Sequence, residues 1–295
     1  MTDVPQPTRS GTLALDEHSI YWELFGSGGR EVVCLLNGLA MHTGAWYSFL
    51  PRLQPEYDVL LWDYPGQGRS SAADVPYHLD RIASHVGRIL DEIPVERVHL
   101  TGISYGGFVA LEFARQFPQR LHTLILSGII LSHETLFEMY EDLSLRFYRS
   151  GEFDLYTRYM YEKIFGEAFV TAAGPERLET MRQNFHQRYH DRTTALIRLT
   201  EAQDPFFAAL NDRLPQYRAI TAPTLVIAGE EDRVMAPKFQ KKITTILPNS
   251  RFVLVEDSGH VVYLEQADQF FGLMRELMRT KAVTAPSPSS GSVRS

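Results

Sequence analysis

Short runs of consecutive apolar residues, rich in Val, Ile and Leu, alternate with helical patterns along most of this chain. The runs that predict strands cover residues 20–25, 32–36, 59–62, 98–101, 124–127, 224–228 and 252–255. The helical patterns between them cover residues 44–53, 79–92, 105–117, 237–247 and 263–279. Strands that are apolar at every position are typical of a sheet covered on both faces. The sequence therefore predicts an α/β fold with a mostly parallel central sheet and helices on both faces.

One region interrupts this alternation, because residues 132–216 contain no convincing strand pattern. Leu136, Met139, Tyr140, Leu143 and Phe147 recur there at helical spacing, and Gly151 is placed to end that helix. We interpret residues 132–216 as an inserted helical cap between two parts of a core domain, 11–131 and 217–282. Its many aromatic side chains predict a small core of its own, an apolar substrate pocket beneath it, or both.

The composition of both ends predicts flexible tails at residues 1–10 and 283–295. The first segment is rich in Pro, and the second is rich in Pro, Ser and Gly. The first ten residues have no apolar segment that could serve as a secretion signal. The single cysteine, Cys34, cannot form an internal disulfide. We therefore expect a cytoplasmic protein.

The charge and hydropathy of the chain exclude several classes of partner. Lys and Arg number 29 against 36 Asp and Glu, a formal net charge of −7, and no basic block is present. Nucleic acids and anionic membrane surfaces both favour clustered Lys and Arg, so neither is an expected partner. No apolar run approaches the roughly 20 residues that span a bilayer.

The strongest local motif is Gly102-Ile-Ser104-Tyr-Gly106, which follows a predicted strand and begins a predicted helix. A serine on such a sharp turn is lifted out of the sheet, and small residues two positions away on each side let the neighbouring backbone pass. The free N–H groups at the start of the following helix favour a developing negative charge. Ser104 is therefore the candidate nucleophile.

A serine hydroxyl needs a base to take its proton, and His260 is the best placed of the ten histidines. It lies in a turn directly after the last predicted strand, and ligands of such sheets gather at the carboxyl ends of the strands. The base needs an acid in turn, and Asp232 follows the preceding strand in Gly229-Glu-Glu-Asp232. Its neighbours Glu230 and Glu231 read as a solvated loop.

An acyl-transfer site also needs hydrogen-bond donors for the oxyanion. The backbone N–H of Tyr105, which follows the serine, is one expected donor. The backbone N–H of Leu39, in the loop after strand 32–36, is the other. Gly38 is expected to let this loop turn without a clash.

Taken in order, these segments resemble the α/β-hydrolase superfamily with a helical cap. The resemblance runs from about residue 11 to 280 and includes Asn37-Gly38, Asp63–Ser70, Gly102–Gly106, Gly229–Asp232 and Gly259-His260. It implies an α/β-hydrolase fold and a catalytic chain in the order Ser104, Asp232, His260. Asp63 matches a structural loop of the family and is not assigned to the site.

The sequence departs from most members of that superfamily at Asn37-Gly38, where His-Gly is usual. Asn-Gly there is similar to a branch that makes or transfers 3-hydroxyacyl chains from carrier-protein thioesters. That branch usually has Ser-Trp-Gly-Gly where this chain has Ser104-Tyr-Gly-Gly. The resemblance marks Asn37 and Gly38 as candidate substrate-binding residues.

The remaining motifs predict no cofactor and no metal. His186 and His190 have the spacing of two ligands on a helix but lack a glutamate after the first histidine, so a solvated helix face is favoured. Residues 26–29 (Gly-Ser-Gly-Gly) precede a strand and predict a hairpin turn, not a phosphate site. No nucleotide or zinc motif is present.

The sequence thus predicts a serine hydrolase acting on a small, apolar acyl substrate: a carboxylic ester, a lactone or a thioester. An acyltransferase on 3-hydroxyacyl thioesters, a carbon–carbon bond hydrolase and a non-catalytic ligand-binding protein remain alternatives. A serine at position 104 excludes dehalogenases and epoxide hydrolases, which need an aspartate there. The substrate and the oligomeric state stay open.

Overall fold

A single eight-stranded sheet forms the centre of the molecule in the computed structural model, which describes residues 4–283. The strands are β1 (Arg9–Leu15), β2 (His18–Phe25), β3 (Val32–Leu36), β4 (Asp58–Trp62), β5 (Val98–Ile103), β6 (Leu121–Ser127), β7 (Thr224–Gly229) and β8 (Ser250–Val255). Their order across the sheet is β1-β2-β4-β3-β5-β6-β7-β8. The pairs β1–β2 and β2–β4 are antiparallel and the others are parallel. The predicted mostly parallel sheet is confirmed.

The first strand, β1, was not expected from the sequence. It begins at Arg9, within the segment 1–10 that we predicted to be a tail, so that prediction is wrong for Arg9 and Ser10. The reason is tertiary pairing, since β1 forms an antiparallel hairpin with β2 in which Arg9 lies opposite Leu24. Residues 1–3 and 284–295 of the predicted tails lie outside the described residues.

Within residues 4–283, eleven α-helices accompany the sheet. They are α1 (Leu79–Glu92), α2 (Tyr105–Gln116), α3 (Thr135–Ser150), α4 (Phe153–Ile164), α5 (Glu167–Tyr189), α6 (Thr193–Glu201), α7 (Gln203–Ala208), α8 (Leu210–Arg218), α9 (Pro237–Lys241), α10 (Val262–Glu265) and α11 (Ala267–Thr280). Three 3-10 helices cover Thr43–Arg52, Pro118–Arg120 and Lys242–Thr245. None of the helices between residues 4 and 283 combines the length and the apolar character that crossing a bilayer requires.

Two of the predicted helices are interrupted in the structure. The segment 237–247 divides into α9 and a 3-10 turn, and the segment 263–279 divides into α10 and α11. The second break occurs because Gln266 has non-helical backbone angles, with φ −125° and ψ 53°. The predicted helix 44–53 is a 3-10 helix that contains Pro51.

The parallel strands separate two hydrophobic cores, which explains why they are apolar at every position. In β3, Val33 belongs to one core and Cys34 to the other, because successive side chains of a strand point to opposite faces. Helices α1 and α2 cover the Cys34 side, and α11 covers the Val33 side. The prediction of a sheet covered on both faces is confirmed.

The helices α3–α8 are inserted between β6 and β7 and have a small core of their own. It contains Tyr148, Phe153, Tyr156, Tyr189 and Leu196. Gly151 ends α3 in the left-handed conformation, with φ 78°.

The inward face of α3 differs from the apolar stripe expected from its sequence. Leu136 and Met139, two members of that stripe, are 51% and 61% exposed. Phe137 and Tyr148 are buried instead. The buried face of α3 is therefore rotated by about one residue from the apolar stripe that its sequence shows. Contacts with the neighbouring helices determine which face of α3 is buried.

A buried ion-pair network joins the last inserted helix to the helix that follows Ser104. Glu112 of α2 is fully buried, and its carboxylate lies 2.6 Å from Nη2 of Arg115 and 3.2 Å from Nη1 of Arg213 in α8. Tyr217 of α8 also donates a hydrogen bond to Glu112. Removing one partner of such a network leaves buried charge uncompensated.

We expect Glu112→Gln to lower the free energy of unfolding by about 3 kcal/mol, because Arg115 and Arg213 then lose their counter-charge. Urea unfolding followed by circular dichroism measures the change. The matched control is Glu176→Gln on exposed helix surface, which should change the free energy by less than about 0.5 kcal/mol. Equal unfolding midpoints for Glu112→Gln and the unsubstituted protein would contradict this assignment.

Candidate active site

Ser104 occupies a strained turn between β5 and α2. Its backbone angles are φ 50° and ψ −123°, a conformation that side-chain-bearing residues rarely adopt. The flanking glycines are required by close backbone contacts. A Cβ on Gly102 would lie 2.3 Å from the carbonyl oxygen of Gly106, and a Cβ on Gly106 would lie 2.6 Å from that of Asn37. The motif thus folds as the sequence predicted, with the serine at the apex of the turn.

The structure brings Ser104, His260 and Asp232 together from the ends of three different strands. The Oγ atom of Ser104 lies 2.9 Å from Nε2 of His260, and Nδ1 of His260 lies 2.9 Å from Oδ2 of Asp232. Ser104 follows β5, Asp232 follows β7 and His260 follows β8. The three side chains form one continuous hydrogen-bonded chain.

The carboxylate of Asp232 is held on both oxygens. Its Oδ1 atom accepts hydrogen bonds from the backbone N–H groups of Val234 and Met235, at 2.9 and 2.8 Å. Its Oδ2 atom accepts from Nε2 of Gln240, at 2.9 Å, as well as from His260. These partners fix the orientation of the carboxylate toward the imidazole.

Gln240 is a functional residue that the sequence reasoning missed. It is fully buried, and besides Asp232 it binds the carbonyl of Met235 at 2.6 Å and the N–H of Gly128 at 3.0 Å. All of its polar groups are therefore used to brace the loops after β6 and β7. Nothing in its local sequence marks it, because it lies on α9, eight positions beyond Asp232.

Electrostatics around His260 favour the protonated imidazole. Burial lowers the pKa of His260, but the charge of Asp232, its hydrogen bond and the charge of Glu265 more than offset burial, so that the pKa is raised above 6.5. An imidazole with a raised pKa accepts a proton more readily. The Asp232 carboxylate thus stabilises the cation that forms when His260 takes a proton.

Glu265 fixes the loop of His260 against the inserted helices and was also missed. Its Oε2 atom accepts hydrogen bonds from the backbone N–H groups of Gly166, at 2.7 Å, and Gly259, at 3.0 Å. Its Oε1 atom accepts from Val261, at 3.2 Å. Burial raises the pKa of Glu265, and these three N–H groups and the charge of His260 act in the opposite direction.

The two expected oxyanion donors lie in the wall of the same cavity as Ser104. Within residues 4–283, neither the N–H of Leu39 nor that of Tyr105 has a protein acceptor. Both are therefore free to bind a ligand oxygen. The expectation for Gly38 needs correction, because the residue with a positive φ in this loop is Ala40, at 56°. A Cβ on Gly38 would be close to the Met41 sulfur, at 3.2 Å, and in ordinary contact with Cβ of Ser104, at 3.6 Å.

Asn37 does not line the cavity, so the expectation that it contacts substrate does not fit the structure. It is 1% exposed, and its amide donates to the carbonyl of Trp62 at 2.9 Å and accepts from Nε1 of Trp46 at 2.7 Å. Its backbone carbonyl accepts from Tyr64. Asn37 instead anchors the loop that carries Leu39. Gly38, the other candidate, does line the cavity.

A cavity of about 550 Å³ lies between the carboxyl ends of the strands and the inserted helices. The core contributes Ser104 and His260 to its wall, and α3–α5 contribute most of the aromatic rings. The acidic and basic side chains in the wall, besides His260, are His42, Glu141, Lys163 and Arg188. Burial, with Arg188 nearby, lowers the pKa of His42 to about 4. The remaining wall is mainly apolar, as in most small-molecule sites.

Metal ligands are not grouped anywhere in the described part of the chain, where no three His, Cys, Asp or Glu side chains converge. His186 and His190 stack their rings at 5.4 Å on α5 and its end, and Nδ1 of His190 lies near backbone carbonyls of its own helix. They lie outside the cavity wall.

We expect the pKa of His260 to fall in Asp232→Asn, because burial is then opposed only by the charge of Glu265. In the unsubstituted protein it should lie above 6.5. NMR titration of protein labelled at the histidine ring carbons measures both values, and the resonance lost in His260→Gln identifies the signal. A pKa that is unchanged by Asp232→Asn would contradict the electrostatic coupling described here.

Comparison with known proteins identifies the family of this chain. A family model described as alpha/beta hydrolase fold matches residues 31–267. A poly(3-hydroxyalkanoate) depolymerase from Ectopseudomonas oleovorans is 24% identical over 298 residues, covering 98% of this chain and 100% of the relative. A 2-hydroxy-6-oxononadienedioate/2-hydroxy-6-oxononatrienedioate hydrolase from Cupriavidus pinatubonensis is 28% identical over 251 residues, covering 82% and 84%.

Among solved structures, MGS-M2, an alpha/beta hydrolase enzyme from a Medee basin deep-sea metagenome library, superposes with a TM-score of 0.84. It is 23% identical and covers 94% of this chain and 100% of its own. That likeness shows a shared fold. Because the family model spans most of the chain and includes β3–β8, the protein belongs to the α/β hydrolase fold family.

Proposed function

We propose that this protein is a serine hydrolase that cleaves a carboxylic ester or a related acyl compound, such as a lactone or a thioester. The observation that carries the proposal is the hydrogen-bonded chain Ser104–His260–Asp232 at the wall of an apolar cavity. A nucleophile, a base and an orienting acid in this geometry are what acyl transfer through an acyl-enzyme requires.

In the acylation step, Ser104 Oγ attacks the carbonyl carbon of the substrate while Nε2 of His260 takes the hydroxyl proton. The carbonyl π electrons move to the oxygen, which becomes an oxyanion. Asp232 keeps the imidazole in the tautomer that presents an unprotonated Nε2 and stabilises the imidazolium that forms. The bond to the leaving group then breaks as His260 returns the proton to the departing oxygen or sulfur.

The oxyanion is bound by the backbone N–H groups of Leu39 and Tyr105. Both lack a protein acceptor within the described residues and lie beside Ser104 in the cavity wall. The N-terminus of α2 adds its dipole to the same point. Deacylation repeats the sequence with water, whose proton goes to His260 and whose oxygen becomes part of the released acid.

The helices between 132 and 216 act as a cap in this proposal. They supply about half of the residues of the cavity wall and so help to set the size and polarity of the acyl group. The depolymerase relative is named for a polymer whose hydroxy-acid units are joined by ester bonds, which supports an ester as the scissile group. The reaction as written needs no cofactor. A cytoplasmic location, expected from the single cysteine, is part of the proposal.

Carbon–carbon bond hydrolysis is the second candidate. It is favoured by the 28% identity over 82% of the chain to a hydrolase named for a 2-hydroxy-6-oxo dienedioate. The serine, histidine and carboxylate arrangement described above also suits the hydrolytic half of such a reaction. The two candidates differ in the bond cleaved and are separated by the substrate that is turned over.

The test is hydrolysis of 4-nitrophenyl acyl esters of increasing chain length by the unsubstituted protein, Ser104→Ala and Ser84→Ala. We expect Ser104→Ala to lose a factor of about 10⁴ or more in kcat, because the nucleophile is absent. Ser84, whose Oγ donates to the carbonyl of Arg81 on the exposed side of helix α1, is the matched control and its substitution should leave kcat unchanged.

Equal activity of Ser104→Ala and the unsubstituted protein would contradict the proposed nucleophile. If neither Ser104→Ala nor the unsubstituted protein cleaves any of the esters, but the unsubstituted protein cleaves a 2-hydroxy-6-oxo dienoate, carbon–carbon bond hydrolysis replaces ester hydrolysis as the proposed function. Acyl transfer to an added alcohol in preference to water would instead indicate an acyltransferase.

A further inference from the structure

Helix α3 presents a carboxyl group to the cavity. Four of its residues line the wall, at the spacing i, i+3, i+4 and i+7 that defines one helix face: Phe137, Tyr140, Glu141 and Ser144. Glu141 is the one carboxylate among the wall residues of the described chain. A glutamate on the inward face of an amphipathic helix costs free energy unless it is bound by a partner.

One oxygen of that carboxyl group is buried without a partner in the described part of the chain. Among residues 4–283, the buried Oε1 atom of Glu141 makes no hydrogen bond, and Glu141 takes part in no ion pair. Burial, with the charges of Asp204 and Glu138 adding to it, raises the pKa of Glu141 to about 8. At neutral pH the group is therefore mostly protonated, and it can both donate and accept a hydrogen bond.

A second buried polar group without a partner in residues 4–283 belongs to another wall residue. Tyr105 is 2% exposed, lines the cavity and has a hydroxyl without a hydrogen-bond partner in the described structure. Burial and, next, the charge of Glu141 raise the pKa of Tyr105 well above its ordinary value. Because Tyr105 directly follows Ser104, this polar region is connected to the site of attack.

The two cations of the wall argue against a cationic ligand group. Lys163 and Arg188 both line the cavity. The Nζ atom of Lys163 lies 3.6 and 3.5 Å from the ring centroids of Tyr140 and Tyr159. An ammonium group on a ligand would be repelled by these two cations, and a protonated Glu141 offers no charge to attract it. A hydroxyl group matches a carboxylic acid and a phenol as both donor and acceptor.

We infer that Glu141 and Tyr105 form a subsite that binds a neutral hydroxyl group on the acyl chain of the substrate. The inference rests on the proposed acyl hydrolysis and narrows its substrate class to hydroxyacyl compounds. The distance from Ser104 to this subsite selects one position of the hydroxyl along the chain.

The experiment compares 4-nitrophenyl hexanoate with its 3-, 4-, 5- and 6-hydroxy derivatives and with 6-aminohexanoate. The readout is the ratio of kcat/KM for each derivative to that for hexanoate. In the unsubstituted protein we expect one hydroxy isomer to exceed hexanoate by about tenfold, the size of one buried hydrogen bond.

Glu141→Leu and Tyr105→Phe should each reduce that ratio by about five- to tenfold, because each removes one hydrogen-bonding partner. Glu141→Gln should keep most of it, because an amide also donates and accepts. Asp142→Asn is the matched control, since Asp142 is exposed on the outer side of the same helix and pairs with Arg146. It should leave the ratio unchanged.

Binding to Ser104→Ala separates the subsite from the proposed reaction. We expect calorimetry to show tighter binding of the N-methyl amide of the preferred hydroxy acid than of N-methyl hexanamide, with the difference lost on adding Glu141→Leu. If that difference is found but no ester is cleaved by the unsubstituted protein, the subsite stands and the proposed hydrolysis fails. If esters are cleaved with equal kcat/KM for hexanoate and every hydroxy isomer, or if 6-aminohexanoate is preferred, the subsite is wrong.

Discussion

The hydrogen bond between Asp232 and Nδ1 of His260 is the contact on which the geometry of the site depends. It joins the loops after two neighbouring strands and turns Nε2 of the imidazole toward Ser104. Four donors share the Asp232 carboxylate, so neither partner can rotate without breaking other bonds. The same contact opposes the effect of burial on the pKa of His260. On the other side, the strained backbone of Ser104 fixes the hydroxyl that faces the ring.

The inserted helices form hydrogen bonds with the loop that carries His260, in addition to covering the site. The backbone N–H of His260 donates to the carbonyl of Ile164, at the end of α4. Glu265 binds Gly166 and Gly259 at once, and a Cβ on Gly259 would lie 2.6 Å from the nitrogen of Gly166. Movement of α4 would therefore disturb the loop that holds the imidazole. The inserted helices, proposed to select the acyl group, are therefore mechanically linked to His260, the proposed base.

Sequence reasoning found the sheet and the three residues at its strand ends, because each lies in a short motif whose meaning is local. It missed Gln240 and Glu265, since both act from helices on loops that only the fold brings near them. It missed β1 because that strand depends on pairing with β2. The sequence did not indicate Glu141 as a cavity residue, because the buried face of α3 is displaced by about one residue from its apolar stripe. The catalytic roles of Ser104, Asp232 and His260 stay a prediction.

The most direct test of those roles is labelling by a fluorophosphonate, which forms a stable bond only with an activated serine, followed by peptide mapping over a range of pH. The account predicts one adduct, on Ser104, formed at a rate that falls as the pH drops through the raised pKa of His260. It also predicts that His260→Ala reacts at least about a hundredfold more slowly, because no base remains to take the proton. An adduct on another residue, or equal rates for His260→Ala and the unsubstituted protein, would contradict the account.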